Sequence, residues 1–170
     1  GEREEAFAPQ IAACFRCLMS AKRTALPKTV LYNRQKATAV PLPWLRRVVK
    51  AAVPDCLAQG KEREDAVLAM LEEVEITFVD DAEIARVHGE FLEDPTPTDV
   101  ITFHHGEILI STETAARQAV DHGQPFDHEL ALYAIHGLLH LAGWHDEDPA
   151  EAKAMAGVQA GILKEALAKV

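Results

Sequence analysis

Hydrophobic positions along the chain follow two different periods, which indicates a fold of interleaved strands and helices. Residues 75–79 alternate between polar and apolar side chains and predict a strand. Runs rich in β-branched residues at 100–103 and 107–111 predict two more strands around a His-His-Gly break, either as a hairpin or as separately paired strands. Residues 29–38 give a fourth, weaker strand prediction. We therefore expect a small mixed sheet of about four strands.

Apolar residues at helical spacing predict helices before, between and after these strands. The first begins at Pro43 and is expected to end at Pro54, because proline interrupts helical hydrogen bonding. Further helices are predicted at 61–73, from 80 or 81 to 91, and at 112–120, 126–142 and 149–170. This order predicts an α/β or α+β fold with a single domain over residues 28–170. Residues 1–27 are expected to form a poorly ordered N-terminal extension.

The chain is acidic overall, which limits how it can bind a polyanion. Its 170 residues carry a formal net charge of −10, and its pI is near 5.2. That balance argues against broad, non-specific binding of nucleic acid, which requires a positive field. Arg46, Arg47 and Lys50 share one side of the first predicted helix and form either a solvated face or a small basic patch for a polyanion.

Cysteine content and hydropathy bear on the compartment. The chain has three cysteines, Cys14, Cys17 and Cys56, which favours a reducing compartment such as the cytoplasm over secretion. Cys14 and Cys17 have C-x-x-C spacing, but without a second pair this spacing is a weak indication of function. No apolar run approaches the roughly 18–20 residues of a membrane span, so no membrane association is expected.

The helix predicted at 126–142 is apolar nearly all round, yet it carries two histidines four residues apart. His136 and His140 therefore lie on the same face, where two imidazoles can chelate Zn²⁺ or another divalent ion. Gly143 can end the helix and turn the chain back, because glycine tolerates positive φ. The next candidate ligands are His145 and Asp146, and the spacing leaves both open. We expect a buried helix that binds a metal ion.

The residue after the first histidine distinguishes this helix from that of a zinc peptidase. Peptidases with an H-E-x-x-H helix use the glutamate as a general base, and here that position is Gly137. Three interpretations follow: the metal site is structural, the base comes from elsewhere, or the metal suffices because it lowers the pKa of its bound water.

Four segments of the chain resemble one known family, the YbeY-type endoribonucleases. The sequence H-G-L-L-H-L-A-G from His136 to Gly143 is similar to the H-G-x-L-H-L-x-G helix of that family. Residues 97–103 (P-T-D-V-I-T-F) resemble its P-T-D-V-L-S-F segment, residues 106–111 resemble its G-D-I-x-I-S strand, and residues 80–86 resemble the start of a helix after a strand. The resemblance covers roughly residues 30–165.

The resemblance implies a metal-dependent hydrolase that cuts RNA internally, acting in rRNA maturation and ribosome quality control in the cytoplasm. It also implies rRNA and ribosomal proteins as partners. Two alternatives from other functional classes are a non-catalytic, ribosome-associated binding module that the metal only braces, and a zinc peptidase. The oligomeric state is not predicted.

The chain departs from the family pattern at two positions. The family commonly has G-Y-D-H where this chain has G-W-H-D, so the third ligand position falls on Asp146, with His145 as the alternative. Leu92 stands where the family commonly has an arginine, so stabilisation of transition-state charge is expected from another cation such as Arg86, or from the metal alone.

Residues on the loop and strand expected to face the metal complete the candidate site. Asp99 either orients a water molecule or caps its loop. His104 and His105 are either surface residues or, in one case, the proton donor to the leaving oxygen. The predicted site therefore comprises Asp99, His104 and Arg86 as catalytic candidates beside the metal ligands.

Overall fold

The computed structural model describes residues 25–170, and every structural statement below concerns those residues. Residues 1–24, which make up most of the predicted N-terminal extension and include Cys14 and Cys17, lie outside the described residues.

Strands and helices alternate along the chain as the sequence pattern predicts. The strands are β1 (Lys28–Asn33), β2 (Glu73–Val79), β3 (Val100–Phe103) and β4 (Glu107–Ser111). The helices are α1 (Leu42–Gln59), α2 (Asp81–Leu92), α3 (Thr112–His122), α4 (Phe126–Leu141) and α5 (Pro149–Ala168).

The four strands form one mixed sheet in the order β1-β2-β4-β3, which confirms the predicted fold class. Strand β2 pairs in parallel with β1 and β4, whereas β3 and β4 form an antiparallel hairpin. Gly106 permits the hairpin turn because its φ is +103° and a Cβ there would lie 2.9 Å from the carbonyl oxygen of Glu73.

Alternate residues of the central strands point to opposite faces of the sheet. Ile76 and Phe78 of β2 and Ile108 of β4 are completely buried in the larger core, beneath α1, α4 and α5. Val79 and Leu109 face the other side, in a smaller cluster covered by α2. Each such side chain contributes roughly 1.5–3 kcal/mol when fully buried.

Two helix predictions are wrong, each for a tertiary reason. Helix α1 continues through Pro54 to Gln59. Pro54 lies on the exposed side, while Val53 and Cys56 are buried and hold the second half of the helix against the core. Residues 61–73 are not a helix: a 3₁₀ turn at Leu68–Met70 leads into β2, and the backbone N–H of Val67 bonds to Leu141 at the end of α4.

Helix α4 crosses the sheet unusually closely at Gly137. A Cβ built on Gly137 would lie 2.7 Å from Cγ2 and 2.8 Å from Cδ1 of Ile108. Residue 137 therefore faces β4 and has no room for a side chain. A glutamate at this position, as in a zinc peptidase, would point into the core.

None of the helices within residues 25–170 combines the length and apolar character that crossing a membrane requires.

We predict that Gly137→Ala destabilises the protein by about 1–3 kcal/mol, because the added methyl group forces α4 away from Ile108. Urea denaturation in a chelating buffer measures the free energy of unfolding without a contribution from bound metal. Gly157→Ala is the matched control, because a Cβ at Gly157 on α5 meets no atom within 4 Å. That variant should gain roughly 0.5–1 kcal/mol. Equal effects of the two substitutions would contradict the assigned packing.

Candidate metal centre

Helix α4 places its two histidine rings against each other at the surface of the core. The Nε2 atoms of His136 and His140 are 2.9 Å apart, and their side chains are 21% and 25% exposed. Both rings are therefore mostly buried but reachable from solvent.

The other nitrogen of each ring has a partner that fixes its tautomer. Nδ1 of His140 lies 2.9 Å from the carbonyl oxygen of Trp144, which only accepts, so Nδ1 of His140 donates. Nδ1 of His136 lies 2.9 Å from Oε1 of Gln159 on α5 and donates to it in the same way. In the neutral rings each Nε2 atom then carries a lone pair and no proton. Two lone pairs at this distance repel each other, whereas both would attract a cation bound between them.

Asp146 completes a triangle of ligand atoms. Its Oδ2 lies 3.4 Å from Nε2 of His136 and 3.5 Å from Nε2 of His140. A tetrahedral Zn²⁺ site with bonds of about 2.0–2.1 Å separates neighbouring ligand atoms by roughly 3.3–3.4 Å. Within the described part of the chain, these three residues are the one group whose geometry suits a metal ion, and their donors fit a divalent cation.

The alternative ligand, His145, points elsewhere. Its Nε2 lies 3.0 Å from Oδ2 of Asp65, a residue in the loop before the 3₁₀ turn. The structure therefore brings Asp146, and not His145, to the histidine pair.

The turn after α4 determines where Asp146 lies. The N–H of Gly143 donates to the carbonyl of His140, and the N–H of Trp144 donates to that of Leu139, both at 3.0 Å. With φ of +85° at Gly143, this is a Schellman motif, the helix end that glycine favours. It reverses the chain directly beyond His140.

Burial favours the neutral form of His140. Desolvation lowers the pKa of His140 below its usual value, and the neighbouring His136 ring lowers it further. A neutral imidazole is the form that binds a metal ion.

A cavity of about 320 Å³ opens beside the pair. Its described lining includes no arginine or lysine: the residues are His88, Leu92, Thr98, Val100, Ile101, Thr102, His104, His140, Leu141, Trp144, His145, Asp146 and Glu147. Two buried polar atoms in this wall, Oγ1 of Thr102 and Nε1 of Trp144, have no hydrogen-bond partner in the described structure. The described wall thus carries no fixed positive charge.

Arg86, the expected substitute for the cation missing at Leu92, lies elsewhere. It lines a separate cavity with Arg34 and Glu107 on the α2 side of the sheet. Its guanidinium is hydrogen-bonded to Glu83 and, at 2.6 Å, to Glu90. The hydrogen bonds to Glu83, and to a lesser extent those to Glu90, raise the pKa of Arg86. Arg86 is thus ion-paired with two glutamates and lies outside the histidine cavity.

Of the candidate residues between 99 and 105, some line the histidine cavity and others have partners elsewhere. His104 is exposed and lines the histidine cavity. His105 instead contacts Glu107 at 3.2 Å and stacks on Phe103. Asp99 accepts hydrogen bonds from the N–H of Val100 and Oγ1 of Thr98, which is the geometry of loop capping.

Gln159 is a site residue that the sequence pattern does not predict. It lies on α5 among Met155, Val158 and Ile162, which pack in the larger core. A single amide in an apolar stripe was the available signal, but nothing in the spacing connects it to a histidine 23 residues earlier.

Comparisons with known proteins give one consistent result. A profile of the family described as Endoribonuclease YbeY matches residues 30–167. A Synechococcus protein named Endoribonuclease YbeY is 39% identical over 108 residues, which cover 55% of this chain and 68% of that protein. A Gloeobacter violaceus protein of the same name is 34% identical over 139 residues, covering 68% and 72% of the two chains.

Among solved structures, the solution structure of a Thermotoga maritima protein matches with a TM-score of 0.55. The match is 24% identical and covers 83% of this chain and 90% of that chain. At this identity the likeness concerns the fold.

We predict that the metal-free protein loses stability as the pH falls through about 6.5, the pKa of an unfolded histidine. The folded-state pKa of His140 is lower, so the unfolded state binds more protons in this window and is favoured by acid. Above the window the effect is absent. Urea denaturation between pH 5 and 7 with chelator present measures it, and His140→Asn should show a shallower dependence than wild type. Parallel curves would contradict the assigned burial.

Proposed function

Because the chain belongs to the YbeY family of endoribonucleases, we propose that it hydrolyses RNA phosphodiester bonds with a divalent ion held by His136, His140 and Asp146. One observation carries the assignment of the site: Nε2 of His136, Nε2 of His140 and Oδ2 of Asp146 lie within 3.5 Å of one another. The hydrogen bonds that both Nδ1 atoms make support it. We further propose ribosomal RNA as the substrate and the cytoplasm as the location.

Zinc is the ion that this set of two imidazoles and one carboxylate fits best. A divalent ion bound there would lower the pKa of a bound water and polarise a phosphoryl oxygen.

The chain's own residues orient the histidine rings and provide a candidate proton donor. Gln159 and the Trp144 carbonyl hold the two rings through Nδ1, so that their Nε2 atoms face each other. The described lining contains no arginine or lysine, so the phosphodiester charge meets the ion and the cavity histidines. His104 is exposed in this wall and is our candidate for protonating the leaving oxygen.

The position of Gly137 separates this proposal from the peptidase alternative. Residue 137 faces Ile108 and not the cavity, so it cannot provide the general base of an H-E-x-x-H enzyme. Asp99 bonds within its own loop, which supports a role in holding Thr98 at the cavity.

A chain with a net negative charge repels RNA, so tight binding requires an additional source of affinity. Arg46, Arg47 and Lys50 are exposed on α1, but none of them lines the histidine cavity. Lys50 lines a different cavity beside β1, and Arg86 lies on the α2 side of the sheet. We therefore propose that ribosomal proteins contribute affinity that this surface lacks.

We predict that His136→Ala and Asp146→Ala reduce divalent-metal affinity by at least about tenfold and abolish RNA cleavage in step with metal loss. Elemental analysis of purified protein measures the metal, and cleavage of a ribosomal RNA fragment measures activity. His128→Ala is the control, since His128 stacks on Trp44 near the opposite end of α4 and should retain both properties.

Equal metal content in all variants would overturn the ligand assignment. A wild-type protein that binds metal and unfolds on chelation, yet cuts no RNA, would instead favour the metal-braced binding module.

A further inference from the structure

The loop that precedes β2 packs directly against the turn carrying Asp146. The N–H of Val67 donates to the carbonyl of Leu141 at 2.8 Å. A Cβ on Gly143 would lie 2.9 Å from Cβ of Arg63 and 3.0 Å from the backbone nitrogen of Ala66. The loop before β2 and the turn at Gly143 thus pack so closely that residue 143 has no room for a side chain.

Arg63 makes three kinds of contact with this turn. Its Nη1 donates to the carbonyl of Gly143 at 3.0 Å and to Oε1 of Glu151 at 2.7 Å. Its guanidinium also lies over the indole of Trp144, with Cζ 3.7 Å from the ring centroid. A planar cation can make all three contacts at once, which a lysine ammonium cannot.

Glu151 extends the network to the following residue. Its Oε1 accepts a hydrogen bond from the N–H of His145 at 3.3 Å, besides the bond from Arg63. Arg63 therefore fixes Gly143 and Trp144 directly, and His145 through Glu151.

These residues include the backbone that orients the proposed metal ligands. The carbonyl of Trp144 accepts from Nδ1 of His140, and Asp146 is covalently next to His145. The Asp146 side chain is 44% exposed, so the path of the turn determines where its carboxylate lies.

We propose that Arg63 is a positioning residue for the metal centre: by clamping residues 143–145 it holds Asp146 within bonding distance of the ion and fixes the ring of His140. This inference rests on the proposed function, because it concerns the same three ligands. The contrasting possibility is that Arg63 braces the helix end without influencing the metal.

The test compares Arg63→Ala and Arg63→Lys with Arg117→Ala. Arg117 also donates to a carboxylate, Asp81, at 2.8 Å, but its partners Asp81 and Thr114 lie on α2 and α3 and not on the turn after α4. Its loss therefore controls for the loss of an arginine–carboxylate pair. Zn²⁺ is titrated calorimetrically into the metal-stripped full chain, with circular dichroism confirming the fold, and His136→Ala serves as the non-binding reference.

We expect Arg63→Ala to weaken Zn²⁺ binding by roughly 10–100-fold, as the loss of groups that orient metal ligands does. Arg63→Lys should fall between it and wild type, and Arg117→Ala should match wild type. The visible spectrum of the Co²⁺-loaded protein, which reports coordination geometry, should change for Arg63→Ala and not for Arg117→Ala.

Unchanged Zn²⁺ affinity and an unchanged Co²⁺ spectrum in Arg63→Ala, with normal binding by wild type, would overturn the positioning role and leave the proposed function intact. Absence of Zn²⁺ binding by wild type would overturn both. Should Arg63→Ala not fold, Arg63→Lys and Glu151→Gln decide: each should weaken binding, and wild-type affinity in both would overturn the proposal.

Discussion

The helix end at Gly143 is the feature on which the proposed metal centre depends. Helix α4 supplies two imidazoles by spacing alone, but a third ligand requires the chain to reverse directly after the second histidine. Glycine at positive φ permits that reversal, and the two hydrogen bonds of the Schellman motif fix it. The same reversal brings the carbonyl of Trp144 to 2.9 Å from Nδ1 of His140, so one turn both orients one proposed ligand and delivers another.

The surroundings of α4 explain how polar rings are tolerated beside an apolar core. Leu138 and Leu139, between the two histidines, are completely buried, and Gly137 lets the helix approach Ile108. Desolvating an imidazole is costly, but each ring recovers a hydrogen bond through Nδ1. The Nε2 atom of each ring has no proton to donate, and its lone pair would bind a metal ion.

The cavity has an unusual charge balance for a site that would act on RNA. Its described lining lacks arginine and lysine, Leu92 is 59% exposed at its edge, and Asp146 adds a negative charge to the ligand set. A divalent ion would therefore be the principal positive charge available to a phosphodiester, which couples binding of RNA to occupancy of the metal site. The ion-paired Arg86, on the α2 side of the sheet, cannot take over that role from its position.

Local pattern by itself determined where the four strands lie, although β1 ends at Asn33 and not at residue 38. It also determined helix α4, its end at Gly143 and the pairing of His136 with His140, because each depends on residues only a few positions apart. The tertiary structure alone decided the continuation of α1 through Pro54, the irregular course of residues 61–73, the isolation of Arg86 and the part played by Gln159. It also decided which of two adjacent residues faces the histidines: Asp65 contacts His145, which lies 80 positions away, and Asp146 lies beside the histidine pair. Contacts over such separations depend on how elements pack, and neither periodicity nor motif spacing encodes that packing.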